Sequence, residues 1–300
     1  MYTKILIPLD GSTASERVLP FAHAIAATLR IPIELLEIVD SSAVAQKVPA
    51  NNPRQLDALM AEGEWIGREH LNEIAKELAN VKVTCTVERG KVADVIIERA
   101  GEDKGTLIAM VTHGRSGISR WMSGSVAETV LRGSTNPLFL VRADETSLGD
   151  SEAVIKSIIV PLDGSMLGES VLPTVVEIAK TLDAEVVLCR AYELSTGEAD
   201  GCADERVEDD EKLRRLKGEV QRYLAAKTKA LKEAGLKKVT WVARRGSGAE
   251  EIIRYARAHR DALVAMCTHG RTGVRRRVLG SVTEKVLRHS DDPVLIVHAA

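Results

Sequence analysis

The sequence lacks long apolar segments and the short signatures of common nucleotide and metal enzymes. No run of about 18 apolar residues occurs, so a membrane-spanning helix is not expected. Neither GxxxxGKS, GxxxxGKT nor GxGxxG is present, which excludes P-loop NTPases and common dinucleotide-binding proteins. The 7 histidines form no HExxH motif and the 4 cysteines form no CxxC pair, which argues against structural zinc.

The chain also lacks an excess of charge of either sign. Its 41 basic and 43 acidic residues give a net charge of −2, so we expect neither nucleic acid nor an anionic membrane as a partner. The first residues, MYTKILIPLDGS, reach a strand too early for a signal peptide, and we expect a cytoplasmic protein. Hydrophobic residues make up 45% of the chain, which is enough for two sizeable cores.

Internal repetition is the strongest feature that the sequence does have. The segment Thr112–Arg132 returns 156 positions later as Thr268–Arg288, with 13 of 21 residues identical. ILIPLDGS, which begins at Ile5, returns 153 positions later as IIVPLDGS from Ile158. The repeat is therefore of domain size, with halves of about 150 residues.

Strand and helix patterns alternate in both halves. Lys4–Leu9 predicts a strand and Ala14–Leu29 a helix, and the alternation continues to last strands over 137–141 and 293–298. Apolar runs such as ILIPL and ALVAM are typical of strands buried on both faces. We predict an α/β protein of two tandem, doubly wound domains, each a five-stranded parallel sheet covered by helices. Pro20 and Pro173 should lie in the first turn of their helices or kink them.

A polar stretch over 143–153 predicts the boundary between the halves, which gives domains over 1–143 and 154–300. Two other segments, Ser41–Pro53 and the acidic Glu193–Asp210, precede the long helices. We interpret them as solvated loops, with a mobile cover over the site as the alternative.

Glycines at a fixed spacing predict an anion-binding loop in each half. Nine residues separate Gly114 from Gly124-Ser125, and nine separate Gly270 from Gly280-Ser281. Each second glycine precedes an amphipathic run, so the serine should cap a helix whose N–H groups favour negative charge. We therefore expect phosphate to bind at these helix starts.

A carboxylate is expected beside each loop. Asp10 and Asp163 end the first strands, and the repeated THGR segments follow the fourth strands. If those strands are neighbours at the switch point of the sheet, both groups enter one crevice. A nucleotide fits there, with phosphates on the loop and the carboxylate available for ribose hydroxyls or a cation. A metal ion in this crevice would be Mg²⁺ or Mn²⁺ brought with the phosphates, and its ligands are not assigned.

The combination of PLDGS, MxTHGR and a later GSV resembles the universal stress protein family, and it does so twice over nearly the whole chain. The resemblance implies the adenine nucleotide α-hydrolase-like fold, ATP as ligand, and edge-to-edge pairing of the domains through their last strands. Both last strands are apolar and would be an aggregation hazard if exposed. A fused chain can pair them internally, and a homodimer of the whole chain is left open.

The resemblance also implies which residues line each nucleotide site. For the first half these are Asp10, Ile38, Met110, Val111, Gly114, Gly124, Ser125 and Val126, with Ile38 meeting the adenine. For the second half they are Asp163, Ala191, Met266, Cys267, Gly270, Gly280, Ser281 and Val282, with Ala191 in the place of Ile38.

Both halves depart from the family pattern at one position. The first glycine of the usual G-x2-G-x9-G loop is Val111 in one half and Cys267 in the other. A side chain therefore stands where the ligand would approach the backbone. The β-branched valine should restrict the site more than the cysteine does.

Three functions are compatible with these features. The first choice is a regulatory protein whose ATP occupancy alters its conformation or its choice of partner. The second is a slow ATPase or phosphotransferase, and the third is a structural interaction protein with vacant sites. No catalytic residue is assigned, because Ser125 and Ser281 lack the GxSxG elbow. His113 and His269 are interpreted as packing the strand-to-loop turn, with donation to phosphate or general-acid catalysis as the alternative.

Overall fold

A computed structural model describes residues 2–46, 48–49, 52–112, 126–142, 154–194, 203–259, 261–268 and 279–298, with only the backbone of 203–208. The chain divides into two compact units, Met1–Val154 and Ile155–Ala300. The predicted boundary over 143–153 lies outside the described residues. Within the described ranges, no helix is both long and apolar enough to cross a membrane.

The first unit alternates strands and helices as its apolar periodicity predicts. Its elements are β1 (Lys4–Leu9), a 3₁₀ turn (Ser15–Val18), α1 (Leu19–Leu29), β2 (Ile33–Asp40), α2 (Ser41–Ala45), α3 (Pro53–Glu77), β3 (Val83–Gly90), α4 (Val92–Gly101), β4 (Thr106–Thr112), α5 (Val126–Gly133) and β5 (Leu138–Arg142).

The second unit repeats this order. Its elements are β6 (Ser157–Pro161), α6 (Met166–Glu169), α7 (Leu172–Leu182), β7 (Glu185–Tyr192), α8 (Ala203–Glu233), β8 (Val239–Arg245), α9 (Gly248–Arg257), β9 (Ala262–Cys267), α10 (Ser281–His289) and β10 (Val294–Val297).

Each unit contains a five-stranded parallel sheet. The strand order is β3-β2-β1-β4-β5 in the first unit and β8-β7-β6-β9-β10 in the second. Ile5 of β1 lies opposite Ile33 on one side and Leu107 on the other, so the winding direction reverses between β1 and β4. The predicted doubly wound fold is confirmed, and the first and fourth strands are neighbours at the switch point, as the crevice argument required.

The central strands form the core because helices cover both of their faces. Ile5, Leu6 and Ile7 of β1 are fully buried, as are Leu263 and Val264 of β9. Burial of each such side chain contributes about 1.5–3 kcal/mol to folding. These are the continuous apolar runs that parallel strands need.

Prolines and polar caps set where several helices begin. Pro20 and Pro173 lie in the first turns of α1 and α7, where the backbone N–H that proline lacks would have no partner within the helix. Of the two predicted alternatives, the first turn or a kink, the first-turn position is confirmed. The side chain of Asn52 accepts a hydrogen bond from Gln55 N and caps α3 at its start.

Two segments interpreted as loops contain helix instead. Asp40 accepts hydrogen bonds from Ser42 N and Ala43 N, and this cap starts α2 inside the segment Ser41–Pro53. In the second unit α8 begins at Ala203, inside Glu193–Asp210. Acidic side chains near the N-terminus of a helix interact favourably with the positive end of its dipole, so the acidic run is compatible with a helix start.

Candidate functional site

A cavity of about 290 Å³ lies at the carboxyl ends of β6, β7 and β9 in the second unit. Its wall consists of these strand ends and of residues of α6 and the starts of α9 and α10: Pro161, Leu162, Asp163, Gly168, Cys189, Ala191, Gly248, Ile252, Met266, Cys267, Gly280, Ser281, Val282 and Thr283. The volume is close to the lower end of the range typical of small-molecule sites, and the lining is mainly apolar with a few polar groups.

Seven of the eight residues predicted for the second site line this one cavity: Asp163, Ala191, Met266, Cys267, Gly280, Ser281 and Val282. The eighth, Gly270, lies outside the described residues. The fold therefore brings together residues that are more than 100 positions apart in the chain. That these residues bind a ligand stays a prediction.

The Asp163 carboxylate is held at the edge of the cavity by its own loop. Ser165 donates to Asp163 Oδ1 from its backbone N at 2.9 Å and from its Oγ at 2.7 Å. Gly164 has a φ of +87°, which a residue with a side chain adopts only with strain. A methyl group added at Gly168 would lie 2.6 Å from Asp163 Oδ1, so glycine at this position leaves room for the carboxylate.

The start of α10 forms another part of the cavity wall. Gly280 is the N-cap residue, its N donates to Thr268 O at 2.9 Å, and no side-chain cap bond is made there. The prediction that Ser281 caps this helix is wrong, because Ser281 is already its first helical residue. Gly280 has a φ of −64°, which any residue can adopt, so what it supplies is the absence of a side chain beside the cavity.

Two thiols in the cavity wall have different surroundings. Burial raises the pKa of Cys189 to about 12, so this thiol stays protonated at neutral pH. Cys267 lies at the end of β9, and its Sγ accepts a hydrogen bond from Ser170 Oγ at 3.2 Å. The environment of Cys189 therefore does not favour a thiolate nucleophile.

The first unit repeats the carboxylate loop. Ser12 donates to Asp10 Oδ1 from its N at 3.0 Å and from its Oγ at 2.6 Å, and Gly11 has a φ of +74°. This is the same turn that surrounds Asp163.

The other residues predicted for the first site are described only in part. Ile38, Met110 and Val111 lie near the carboxyl ends of β2 and β4, the strands on either side of β1, and Val126 is the first residue of α5. Gly114, Gly124 and Ser125 lie outside the described residues. The fold thus brings Asp10, Ile38, Met110 and Val111 to one edge of the sheet.

Sequence reasoning missed part of the second cavity. Gly248 and Ile252 of α9 line it, as does Thr283, whose Oγ1 donates to Cys267 O at 3.1 Å. Segment 88–100 is similar in sequence to segment 243–256, which indicates a shared element in the two halves but not its approach to the site. Among the described residues, no group of three or more His, Cys, Asp or Glu side chains could hold a metal ion.

Comparison with known proteins connects this geometry to a family. The sequence pattern of the Universal stress protein family matches residues 1–142 and again residues 155–298. The chain belongs to this family.

Relatives within the universal stress protein family match either one half or the whole chain. A universal stress protein of Methanocaldococcus jannaschii is 33% identical over 144 residues, which cover 47% of this chain and 83% of that protein. A universal stress protein of Mycobacterium tuberculosis is 22% identical over 299 residues, covering 97% of this chain and 96% of that one. The tandem arrangement of two family domains therefore occurs in other members.

A solved structure with low sequence identity to this chain shows the same fold. The crystal structure of a universal stress protein from Archaeoglobus fulgidus aligns with a TM-score of 0.70 at 20% identity. The alignment covers 99% of this chain and 98% of that one. The predicted adenine nucleotide α-hydrolase-like fold is thereby confirmed.

Proposed function

We propose that this universal stress protein binds ATP at one site in each domain and acts as a regulatory protein whose occupancy changes its conformation or its choice of partner. The observation that carries the proposal is the cavity of about 290 Å³ in the second unit, where Asp163 and the start of α10 face a mainly apolar wall. Family membership alone does not require a ligand.

The chemistry of the wall matches the parts of a nucleotide. Backbone N–H groups at the start of α10, with the helix dipole, suit phosphate oxygens. The Asp163 carboxylate can accept hydrogen bonds from ribose hydroxyls. Ala191, Ile252 and Met266 give apolar contact for a purine ring.

Thermal unfolding with and without Mg-ATP tests the proposal. A ligand that binds only the folded state at about a hundredfold over its dissociation constant stabilises its site by about 2.7 kcal/mol. We expect the unfolding temperature to rise in the presence of millimolar ATP, and we expect adenine nucleotide to copurify with the protein. An unchanged unfolding temperature together with nucleotide-free protein would favour a structural role.

A matched pair of glycine variants locates the binding. Gly280→Val places a side chain beside the cavity at a φ that valine tolerates, so it should abolish binding to the second domain without unfolding it. Gly218→Val is the control and should bind as the parent does, because a Cβ added there in α8 has no neighbour within 4 Å in the part of the chain that the structure describes. If the two variants bound ATP with equal affinity, the cavity would not be the ATP site of the second domain.

Single-turnover assays separate the regulatory role from slow hydrolysis. ADP formation that depends on Asp163 or Asp10 would promote the ATPase alternative. Pairing of the domains through residues 137–141 and 293–297, a metal brought with the phosphates, and a cytoplasmic location stay predictions from the sequence.

A further inference from the structure

A histidine on α3 joins the loop of the first site to the sheet. His70 Nδ1 lies 2.8 Å from Glu37 Oε2, and His70 Nε2 lies 3.3 Å from Glu16 Oε1. Glu37 belongs to β2, and Glu16 lies in the 3₁₀ turn that follows Asp10. We call Glu16, Glu37 and His70 the first clamp.

The geometry of the first clamp requires a protonated imidazole. Each ring nitrogen of His70 faces a carboxylate, and a neutral imidazole can donate from only one nitrogen. Partial burial by itself lowers the pKa of His70, but the hydrogen bonds and charges of Glu37 and Glu16 outweigh it and raise that pKa above its usual value. Glu16 and Glu37 are the charged groups that act on His70, and they come from both elements against which it is held.

The second unit has a different clamp at the same repeat positions. Glu16, Glu37 and His70 correspond to Glu169, Arg190 and Tyr223, each 153 positions further along. This second clamp also includes Lys227.

The second clamp contains no histidine. Tyr223 Oη donates to Glu169 Oε1 at 2.8 Å, and Lys227 Nζ donates to Glu169 Oε2 at 2.6 Å. The Arg190 guanidinium lies 4.7 Å from the centre of the Tyr223 ring. Burial, followed by the Glu169 hydrogen bond, raises the pKa of Tyr223 far above neutrality.

The first clamp acts on the loop that orients Asp10. Ser12 donates to the Asp10 carboxylate, and Ser15 Oγ donates to Ser12 O at 2.8 Å. Glu16 follows Ser15 directly, so a held Glu16 fixes the turn and, through it, the Asp10 side chain. Glu37 also precedes Ile38, the residue expected to meet the adenine.

We propose that His70 is a positioning residue of the first nucleotide site and that this site, unlike the second, loses affinity as the pH rises above neutrality. The inference rests on the proposed function, since it names the regulation of the same site. As the pH rises through its raised pKa, His70 loses a proton and can donate to only one of its two carboxylates, so the turn that carries Asp10 is held less firmly.

Calorimetric titration of ATP into single-site variants tests this inference. Asp163→Ala/Gly280→Val leaves the first site, and Asp10→Ala/Gly124→Val leaves the second. Between about pH 6 and pH 8.5 we expect the first-site affinity to fall about fivefold or more and the second-site affinity to change by less than about twofold. The second site also corrects for the titration of the terminal phosphate of ATP, which ionises near pH 6.

His70→Tyr, which installs the residue of the second clamp, separates positioning from packing. This variant should stay folded and show a flat first-site pH profile. A first site whose affinity does not depend on pH in the parent, or a His70→Tyr variant that keeps the full pH dependence, overturns the inference.

A measurement without ATP keeps the two proposals distinguishable. Absence of ATP binding at both sites at every pH rejects the proposed function alone. The clamp is then judged by the hydrogen-exchange protection of the amides of residues 11–16, relative to His70→Tyr. Protection that falls as the pH rises in the parent supports the clamp, and unchanged protection overturns it.

Discussion

Asn136 and Asp292 occupy the same position of the two repeats, yet their side chains differ in their hydrogen-bond partners. Asn136 Nδ2 donates to Asp103 O at 2.9 Å and to Thr106 O at 3.2 Å. Asp292 lies 156 positions later, before Pro293 as Asn136 lies before Pro137. Its Oδ2 is buried and has no hydrogen-bond partner among the described residues. A carboxylate cannot donate to the backbone oxygens that an amide binds here, whereas a protonated carboxyl can donate to one.

The surroundings of Asp292 favour its protonated form. Burial, followed by the charge of Asp291, raises its pKa from the usual 3.8 to about 6. Asp261 acts in the same direction, while Arg257 and His259 oppose the shift. Between about pH 4 and pH 6 the folded state therefore holds a proton that the unfolded chain has released.

We predict that Asp292→Asn stabilises the second unit above pH 6. In the parent, the stabilisation that protonated Asp292 gives the folded state is fully present below about pH 4 and is lost as the pH rises to about 6. This loss lowers the free energy of unfolding by at most about 3 kcal/mol. Asparagine supplies the missing donor at every pH. The difference in unfolding free energy between variant and parent should grow through that window and stay constant above it.

The first unit provides the reciprocal control. Asn136→Asp should destabilise its own unit at neutral pH and introduce the pH slope that Asp292→Asn removes. Parallel pH profiles for Asp292→Asn and the parent would contradict the prediction.

The strands and the repeat could be predicted because they depend on local patterns. Lys4–Leu9 and Thr106–Thr112 are β1 and β4, as their apolar runs indicated. Seven residues predicted for the second site line one cavity, and they could be named from the sequence because of the repeated motifs and the family resemblance.

Features that depend on distant partners could not be predicted in this way. The His70 clamp joins residues 33 and 54 positions apart, and no periodicity in the sequence pairs them. The choice of Gly280 over Ser281 as N-cap depends on where Thr268 O lies, which is fixed by the fold. The pKa of Asp292 likewise depends partly on the charge of Asp261, which is distant in the sequence.

The buried carboxylate of Glu34 leads to a second prediction. Lys4 Nζ and Arg99 lie 2.7 Å from its oxygens, and its side chain is 6% exposed. Burial alone raises the pKa of Glu34, but Lys4 and Arg99 outweigh it and lower that pKa below its usual value.

We predict that Glu34→Gln destabilises the first unit by about 3 kcal/mol at neutral pH, because two cations lose a buried partner. The stabilisation from Glu34 is fully present above pH 4.5 and is lost as the pH falls through its lowered folded pKa, so the variant and the parent should converge in acid. Native-state hydrogen exchange of amides in the first unit measures the unfolding free energy of that unit separately from the second. Glu73→Gln, in an exposed pair with Lys76, is the control and should change stability by less than about 0.5 kcal/mol.

Two glycines of the carboxylate loops give a third prediction. A methyl group at Gly11 meets no atom of the described residues within 4 Å, so Gly11→Ala should cost only the left-handed backbone strain, about 1 kcal/mol. A methyl group at Gly164 would lie 2.7 Å from Arg190 Nη1 and would displace that guanidinium from the Tyr223 ring. Gly164→Ala should therefore cost about 0.5–1 kcal/mol more. In an Arg190→Ala background the extra cost should disappear, and a persisting difference would locate the strain elsewhere.

The position where the family motif usually has its first glycine gives the last prediction. Cys267 lines the cavity of the second unit, and Val111 is the last residue but one of β4, at the corresponding point of the first. Valine has one more heavy atom than cysteine and is stiff at χ1, so it cannot turn away from a ligand. We predict that Cys267→Val weakens ATP binding at the second site about tenfold, which is about 1.4 kcal/mol, and that Val111→Cys strengthens binding at the first.

Cys267→Ala is the matched control for this substitution. It removes the Sγ that accepts from Ser170 Oγ, but that hydroxyl also lies 2.7 Å from Leu167 O and keeps this acceptor. The affinity of Cys267→Ala should therefore stay within about threefold of the parent, or about 0.7 kcal/mol. Calorimetric titration of each single-site background measures the effects. If Cys267→Val and Cys267→Ala bind ATP equally well, the size of the side chain at this position does not limit the site, and the departure from the family glycine has no effect on affinity.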